Sequence, residues 1–325
     1  MEVWLGMKIT DLAILFVFIT LPFVIMLRVK SDNLLNVEYK SMLLNKYLDT
    51  AVEDASKAMV EKGTDNSLSL SRGKAVAAFF RTLYANLGII HDETAKQSLK
   101  AYIPVIAVIG YDGYWIYSLE TYRNENGELV EDMLCKPKKP YVYKSNGFSY
   151  LFTLDDYVKV YDSAGNMFYE GRREEVMQNL PDDRILNDRE LFEQIRKRTI
   201  VEAMKSDVNI AINEHNNYAE KYGISYHFSP PSIPDDDWQK NIEDVGILSF
   251  FQGMPIGLGG ERFNSFALGA ARIVRKKAYY IQQHSNGLYY YHRETCPLVT
   301  DRDNVYDSRQ ECALKGAFPC HTCNP

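Results

Sequence analysis

The sequence predicts an α+β protein: a long N-terminal helix, a head of antiparallel sheet with a second long helix, and a small cysteine-rich module at the C-terminus. Three observations carry this. An uncharged run, Leu12–Leu27, passes directly into small and apolar residues at helical spacing. The middle of the chain has Tyr- and Val-rich runs broken by Asp-Gly and Asn-Gly turns, without the strand–helix alternation that builds a parallel sheet. Four of the five cysteines, Cys296, Cys312, Cys320 and Cys323, fall in the last 30 residues. The expected segments are 1–62, a transmembrane and extended helix; 63–278, the α+β head; and 279–325, the module.

Composition narrows the function. The 325 residues are 46% hydrophobic and 25% charged, which excludes wholesale disorder. With 37 basic against 43 acidic residues the net charge is -6, which argues against a dedicated nucleic-acid coat and leaves room for local basic patches. The 23 tyrosines suit half-buried sheet surfaces and contact faces.

The run Leu12–Leu27 has sixteen residues, slightly short of the roughly 18 to 20 that span a membrane. Ile9, Thr10 and Val29 can lengthen it, and Arg28 can snorkel. A buried core helix would show a polar face, and a cleaved secretory signal would show a positive start and a small-residue cleavage site; neither fits well. A single span is therefore expected. Beyond it, Val37, Ser41, Leu44, Leu48, Ala51, Ala55 and Ala58 recur at spacings of four and three, a helical seam. Together these predict one helix from Lys8 to Lys62, about 80 Å long.

At the start of this helix Gly6 precedes Met7, and Asp11 is the fifth residue counted from Met7. An acid at the head of an apolar run calls for a partner. This pattern resembles the N-terminal helix of type IV pilins and pseudopilins. The resemblance implies processing after Gly6, pairing of Asp11 with the amino group of a neighbouring subunit, and assembly through the helix. The leader MEVWLG departs from the family in carrying Glu2 where lysines are usual, and Asp11 stands where Glu is usual. Lys8 before the run against Arg28, Lys30 and Lys40 after it favours a cytoplasmic C-terminus by charge alone. The resemblance implies the opposite, a single-pass cell-membrane protein with head and C-terminus outside, and that orientation is the expectation.

In the head, Lys74–Leu87 reads as a helix burying Val76, Phe79, Phe80, Leu83 and Tyr84. Strands Pro104–Gly110 and Tyr114–Leu119 flank a tight turn at Asp112-Gly113, and further turns at Asn126-Gly127, Asn146-Gly147 and Gly165-Asn166 predict an antiparallel meander. A second helix runs from Asp188 to Tyr222, with Met204, Val208, Ala211, His215, Tyr218 and Tyr222 on one seam; His215 reads as a packed, hydrogen-bonded histidine. Ser229–Trp238 is a loop. The stretch 253–260, GMPIGLGG, lacks the Gly-Lys-Ser/Thr of a phosphate loop and reads as close-packing or flexible chain. Arg272, Arg275, Lys276 and Lys277 form a basic cluster, a solvated face or a contact for an anionic partner.

The tail carries the most specific chemistry. His292-x3-Cys296 and Cys320-x2-Cys323 are two close ligand pairs separated by a loop, a spacing that suits one tetrahedral zinc ion. Two disulfides among the four tail cysteines are the alternative; they leave His292 unexplained. His284 is the spare ligand, Cys312 reads as a packing residue, and Cys135 as a buried or tolerated thiol. The pieces Tyr291-His292-Arg293, Cys296, Ser308-Arg309-Gln310-Glu311, Gly316 and Pro319-Cys320-x2-Cys323 resemble the zinc-binding module of Ada-type methylphosphotriester repair proteins, and more closely its copies appended to secreted proteins. In the repair proteins a cysteine stands where this chain has His292, and that cysteine accepts the methyl group. Imidazole cannot reproduce this alkylation, so repair by methyl transfer is rejected and a closed, structural Zn2+ site is expected.

No catalytic constellation emerges from the sequence. The leading expectation is a non-enzymatic, membrane-anchored, pilin-like or pseudopilin-like structural protein of a surface, secretion or conjugation apparatus in a Gram-positive bacterium, self-associating through its N-terminal helix. The alternative is a membrane-tethered nucleic-acid-binding protein that uses the zinc module and the Arg272–Lys277 cluster.

Overall fold

The computed structural model describes residues 9–62, 68–221, 223–224, 226–229, 244–271, 279–293, 296–300, 305–306 and 309–323. It divides into two compact units, Met1–Arg272 and Ile273–Pro325. As expected, the architecture is α+β with antiparallel sheets and a long N-terminal helix, α1 (Ile9–Met59).

The expected membrane span is not found. Among the described residues no helix is long and apolar enough to cross a membrane. The physical reason is length: the uncharged run Leu12–Leu27 rises only about 24 Å, against about 30 Å of hydrocarbon. It also contains Pro22 and ends at Arg28 and Lys30. The transmembrane, single-pass and cell-membrane assignments fall with it.

The helix also ends sooner than the seam suggested. Val60–Lys62 is a short strand, β1, paired antiparallel with β2 (Leu68–Leu70), and the Ser71 amide returns to the Met59 carbonyl at 2.8 Å. The returning chain thus satisfies one of the carbonyls that a helix end leaves open. On the C-terminal half of α1, Leu48, Val52, Ala55 and Met59 recur at spacings of four, three and four and are all buried. They pack against α2 (Arg72–Asn86) and the sheet of the head, and Thr82 donates to Asp54 across the two helices at 2.8 Å.

After α3 (Glu93–Lys100), strands β3 (Ile106–Gly110), β4 (Gly113–Arg123) and β5 (Leu129–Cys135) follow as the turn signals indicated. The chain then leaves this sheet to build a separate four-stranded meander, β6 (Tyr141–Ser145), β7 (Phe148–Phe152), β8 (Tyr157–Asp162) and β9 (Met167–Arg172). The short helices α4 (Arg173–Asn179) and α5 (Arg184–Asn187) lead into α6 (Arg189–Lys221). Strands β10 (Val245–Pro255) and β11 (Arg262–Ala271) then return to the first sheet, whose order is β11-β10-β3-β4-β5. Gly246 pairs with Ile109 and Ser249 with Ile106, so the centre of the sheet is a long-range pairing.

Of the glycine-rich stretch 253–260, Gly253–Pro255 ends β10, and the loop that follows is close-packing chain. A β-carbon at Gly257 would stand 2.6 Å from Val37 Cγ2, and the loop is tied to α1 by Asn33 and Lys40. Asn33 Nδ2 donates to Glu261, the Leu258 amide donates to Asn33 Oδ1, and Lys40 Nζ donates to the Ile256 carbonyl. Most of the predicted loop 229–238 lies outside the described residues.

Candidate metal centre

The C-terminal unit is built on a hairpin, β12 (Tyr279–Gln283) and β13 (Tyr289–Arg293). Strand β14 (Val305–Tyr306) pairs with β12, and β15 (Phe318–Pro319) runs parallel to β13. With helix α7 (Arg309–Leu314), the strands enclose a small core of Tyr279, Tyr291, Cys312 and Ala317, flanked by Ile281 and Tyr306. Cys312 is fully buried there, and burial pushes its thiol above the ordinary range, which makes it a packing residue.

Successive residues of a strand face opposite ways, so the register that sends Tyr291 into this core turns His292 away from it. There His292 meets Cys296, Cys320 and Cys323. One potential ligand atom from each of the four residues lies within 4.8 Å of the other three. His292, Cys296 and Cys320 are buried and Cys323 is half-buried. His292 Nδ1 is 3.4 Å from Cys296 Sγ.

Backbone bonds set this geometry. The Cys320 amide donates to the Tyr291 carbonyl at 3.1 Å, which fastens the Cys-x2-Cys knuckle to β13, and the Cys296 amide donates to the Arg293 carbonyl at 3.0 Å. The Thr322 amide donates to Cys320 Sγ and the Arg293 amide to Cys323 Sγ, each at 3.4 Å. These are bonds that a thiolate accepts better than a thiol.

The electrostatics reflect crowding. Burial, with the adjoining Cys323 and Cys320, pushes the Cys296 thiol up to about 11. Burial alone would raise Cys320 too, but hydrogen bonds from Cys323 and Thr322 outweigh it and hold that thiol below its ordinary value. Burial, then the neighbouring His284, keeps His292 below the usual imidazole range and so neutral. A neutral imidazole and thiolates are the forms that bind a cation, and a bound dication would draw the remaining thiol protons off. The cluster can therefore hold a metal ion.

His284, expected as the spare ligand, does not join the cluster. Its Nε2 instead lies 3.1 Å from His292 Nε2, behind the ring that faces Cys296. The Ser285-Asn286-Gly287 turn between the two histidines was the available signal that a hairpin would bring them together. Cys135 is exposed on β5 and is not one of the four grouped residues.

Among the described residues the other candidates add no further site. His215 is packed in the head, its Nε2 2.8 Å from the Ala101 carbonyl and its ring edge-on to Phe228. Gly6, Met7, Arg272, Arg275, Lys276 and Lys277 lie outside the described residues, and Asp11 falls on α1 with its side chain outside them. No protein-family model, curated protein or solved structure matches the chain.

Proposed function

We propose that the protein is a non-enzymatic assembly subunit, pilin-like in plan, whose N-terminal helix bundles with the same helix of other copies while the head presents contact surfaces. The apolar surface of α1 carries this reading. Phe16, Val17, Phe18 and Ile19 are four consecutive residues, about 100° apart around the axis, and each is more than half exposed. Among the described residues each side of that turn is open. Exposed apolar side chains continue through Leu34 and Leu35, beyond which the helix becomes half-buried against the head. Burying each large apolar side chain is favourable by about 1.5–3 kcal/mol, and continuous patches of this kind mark association surfaces.

The metal of the C-terminal cluster is zinc in this reading, and its role is structural. A tetrahedral ion with Zn–N of about 2.05 Å and Zn–S of about 2.3 Å places a nitrogen and a sulfur about 3.6 Å apart. The 3.4 Å between His292 Nδ1 and Cys296 Sγ supports that size and geometry. Three thiolates and one imidazole complete the tetrahedron and leave no position for an activated water.

Photo-crosslinking of the full chain tests assembly. A photoreactive residue at Phe18 is expected to give a ladder of copies joined to one another, while the same probe at exposed Leu129 on the head gives none. Monomer alone at both positions would overturn the reading.

A further inference from the structure

His284 is placed by its own turn. Its amide donates to the Leu288 carbonyl and its carbonyl accepts from Gly287, each at 2.9 Å, with Gly287 at φ +81°. Its ring lies against Tyr290, centroids 4.6 Å apart, so the direction of Nε2 is fixed from both sides. That nitrogen is 3.1 Å from His292 Nε2, a hydrogen-bond distance.

Which proton sits between them follows from the other end of the His292 ring. Nδ1 is the nitrogen beside Cys296 Sγ, so Nδ1 must offer its lone pair to a metal held by the cluster. A neutral imidazole has one lone pair and one N–H, which puts the proton of His292 on Nε2. His292 has no exposed surface, so this N–H needs a protein acceptor, and His284 Nε2 is in position. His284 then carries its own proton on Nδ1.

We infer that His284 is a positioning residue of the metal centre: it accepts a hydrogen bond from His292 Nε2–H and thereby fixes the His292 tautomer and ring orientation that present Nδ1 to the metal. This rests on the reading of the cluster as a zinc site. It gives a specific role to a histidine that is not itself one of the four grouped residues. Partners of this kind raise ligand basicity, and losing one typically weakens metal affinity ten- to a hundredfold.

The test measures zinc affinity of the full chain by competition with a chelator. His284→Leu keeps bulk and removes the acceptor, and is expected to weaken zinc binding about ten- to a hundredfold. His284→Gln restores a side-chain oxygen and is expected to recover most of the loss, which a purely space-filling role would not produce. In the zinc-loaded parent, nitrogen NMR of the His292 ring should show the proton on Nε2 and the metal on Nδ1. Equal affinity in parent and His284→Leu, or the proton on Nδ1, overturns the inference and leaves the zinc site standing. A parent chain that binds no zinc removes both.

Discussion

A β-carbon at Gly269 would stand 2.6 Å from Val52 Cγ1 and 3.1 Å from the Val52 carbonyl oxygen, so α1 lies on β11 with no space for a side chain between them. The neighbour is partly backbone and Val52 is 2% exposed, so neither partner can step aside cheaply. The seam on α1 is thus matched by an absent side chain on the sheet.

Gly269→Ala is therefore expected to destabilise the head by about 1–3 kcal/mol through overpacking, lowering its urea midpoint. Shortening the opposing side chain should relieve it. Val52→Ala added to Gly269→Ala is expected to cost less than the sum of the two single changes. Strict additivity would mean that the two residues do not share this contact.

The two halves of α1 should respond oppositely to truncation. Leu48 is fully buried, and Leu48→Ala is expected to cost about 2–5 kcal/mol of head stability. Phe18 is 75% exposed, and Phe18→Ala should leave the head within about 0.5 kcal/mol of the parent while reducing association between copies. Chemical denaturation and sedimentation of the same samples separate the two effects.

Local pattern made the long helices and the strands of the meander legible in the sequence, through spacing of four and three for α1 and α6 and Asp-Gly or Asn-Gly turns for β3–β4 and β6–β7, while the short helices α3, α4 and α5 and the strands β10 and β11 went unread. Sheet membership was not legible. Gly246 and Ile109 pair at the centre of the first sheet, and alternation within each strand does not say which distant strand it will meet. The end of α1 at Met59 is fixed by the Ser71 amide, again a partner from a later segment. In the candidate metal centre, residue spacing brought out His292, Cys296, Cys320 and Cys323, since close pairs are a local signal. It left His284 a spare, because which nitrogen faces which ring depends on the hairpin turn and on packing against Tyr290.

The buried imidazole of the head should make stability depend on acid. Burial holds His215 below the ordinary histidine value, only partly offset by its bond to the Ala101 carbonyl. The unfolded chain takes up a proton near pH 6.5 and the folded chain only at lower pH. Between those values the unfolded state binds more protons, so stability rises with pH. The contribution is fully present above about pH 6.5 and is lost as pH falls through the folded value. Urea midpoints at pH 5 and pH 8 should differ more for the parent than for His215→Gln. An equal pH dependence in both proteins would exclude His215 as the source.

Removing the metal is expected to unfold the C-terminal unit alone. Among the described residues its buried apolar core is Tyr279, Tyr291, Cys312 and Ala317, and a segment of about 50 residues buries too little to fold unaided. The knuckle holds β13 through the Cys320 amide on Tyr291 and the Arg293 amide on Cys323, so its closure around an ion is also the closure of the sheet. Binding energy then appears as folding energy of this unit. Cys320→Ser, or a strong chelator, should erase hydrogen-exchange protection from Tyr279 onward. Protection in α6 and the five-stranded sheet should persist, because both belong to the other compact unit and that sheet draws all its strands from it. Elemental analysis should find close to one zinc per chain. Less than about 0.3 zinc per chain, with two disulfides among the tail cysteines by mass spectrometry, would replace the metal with covalent cross-links as what closes the unit.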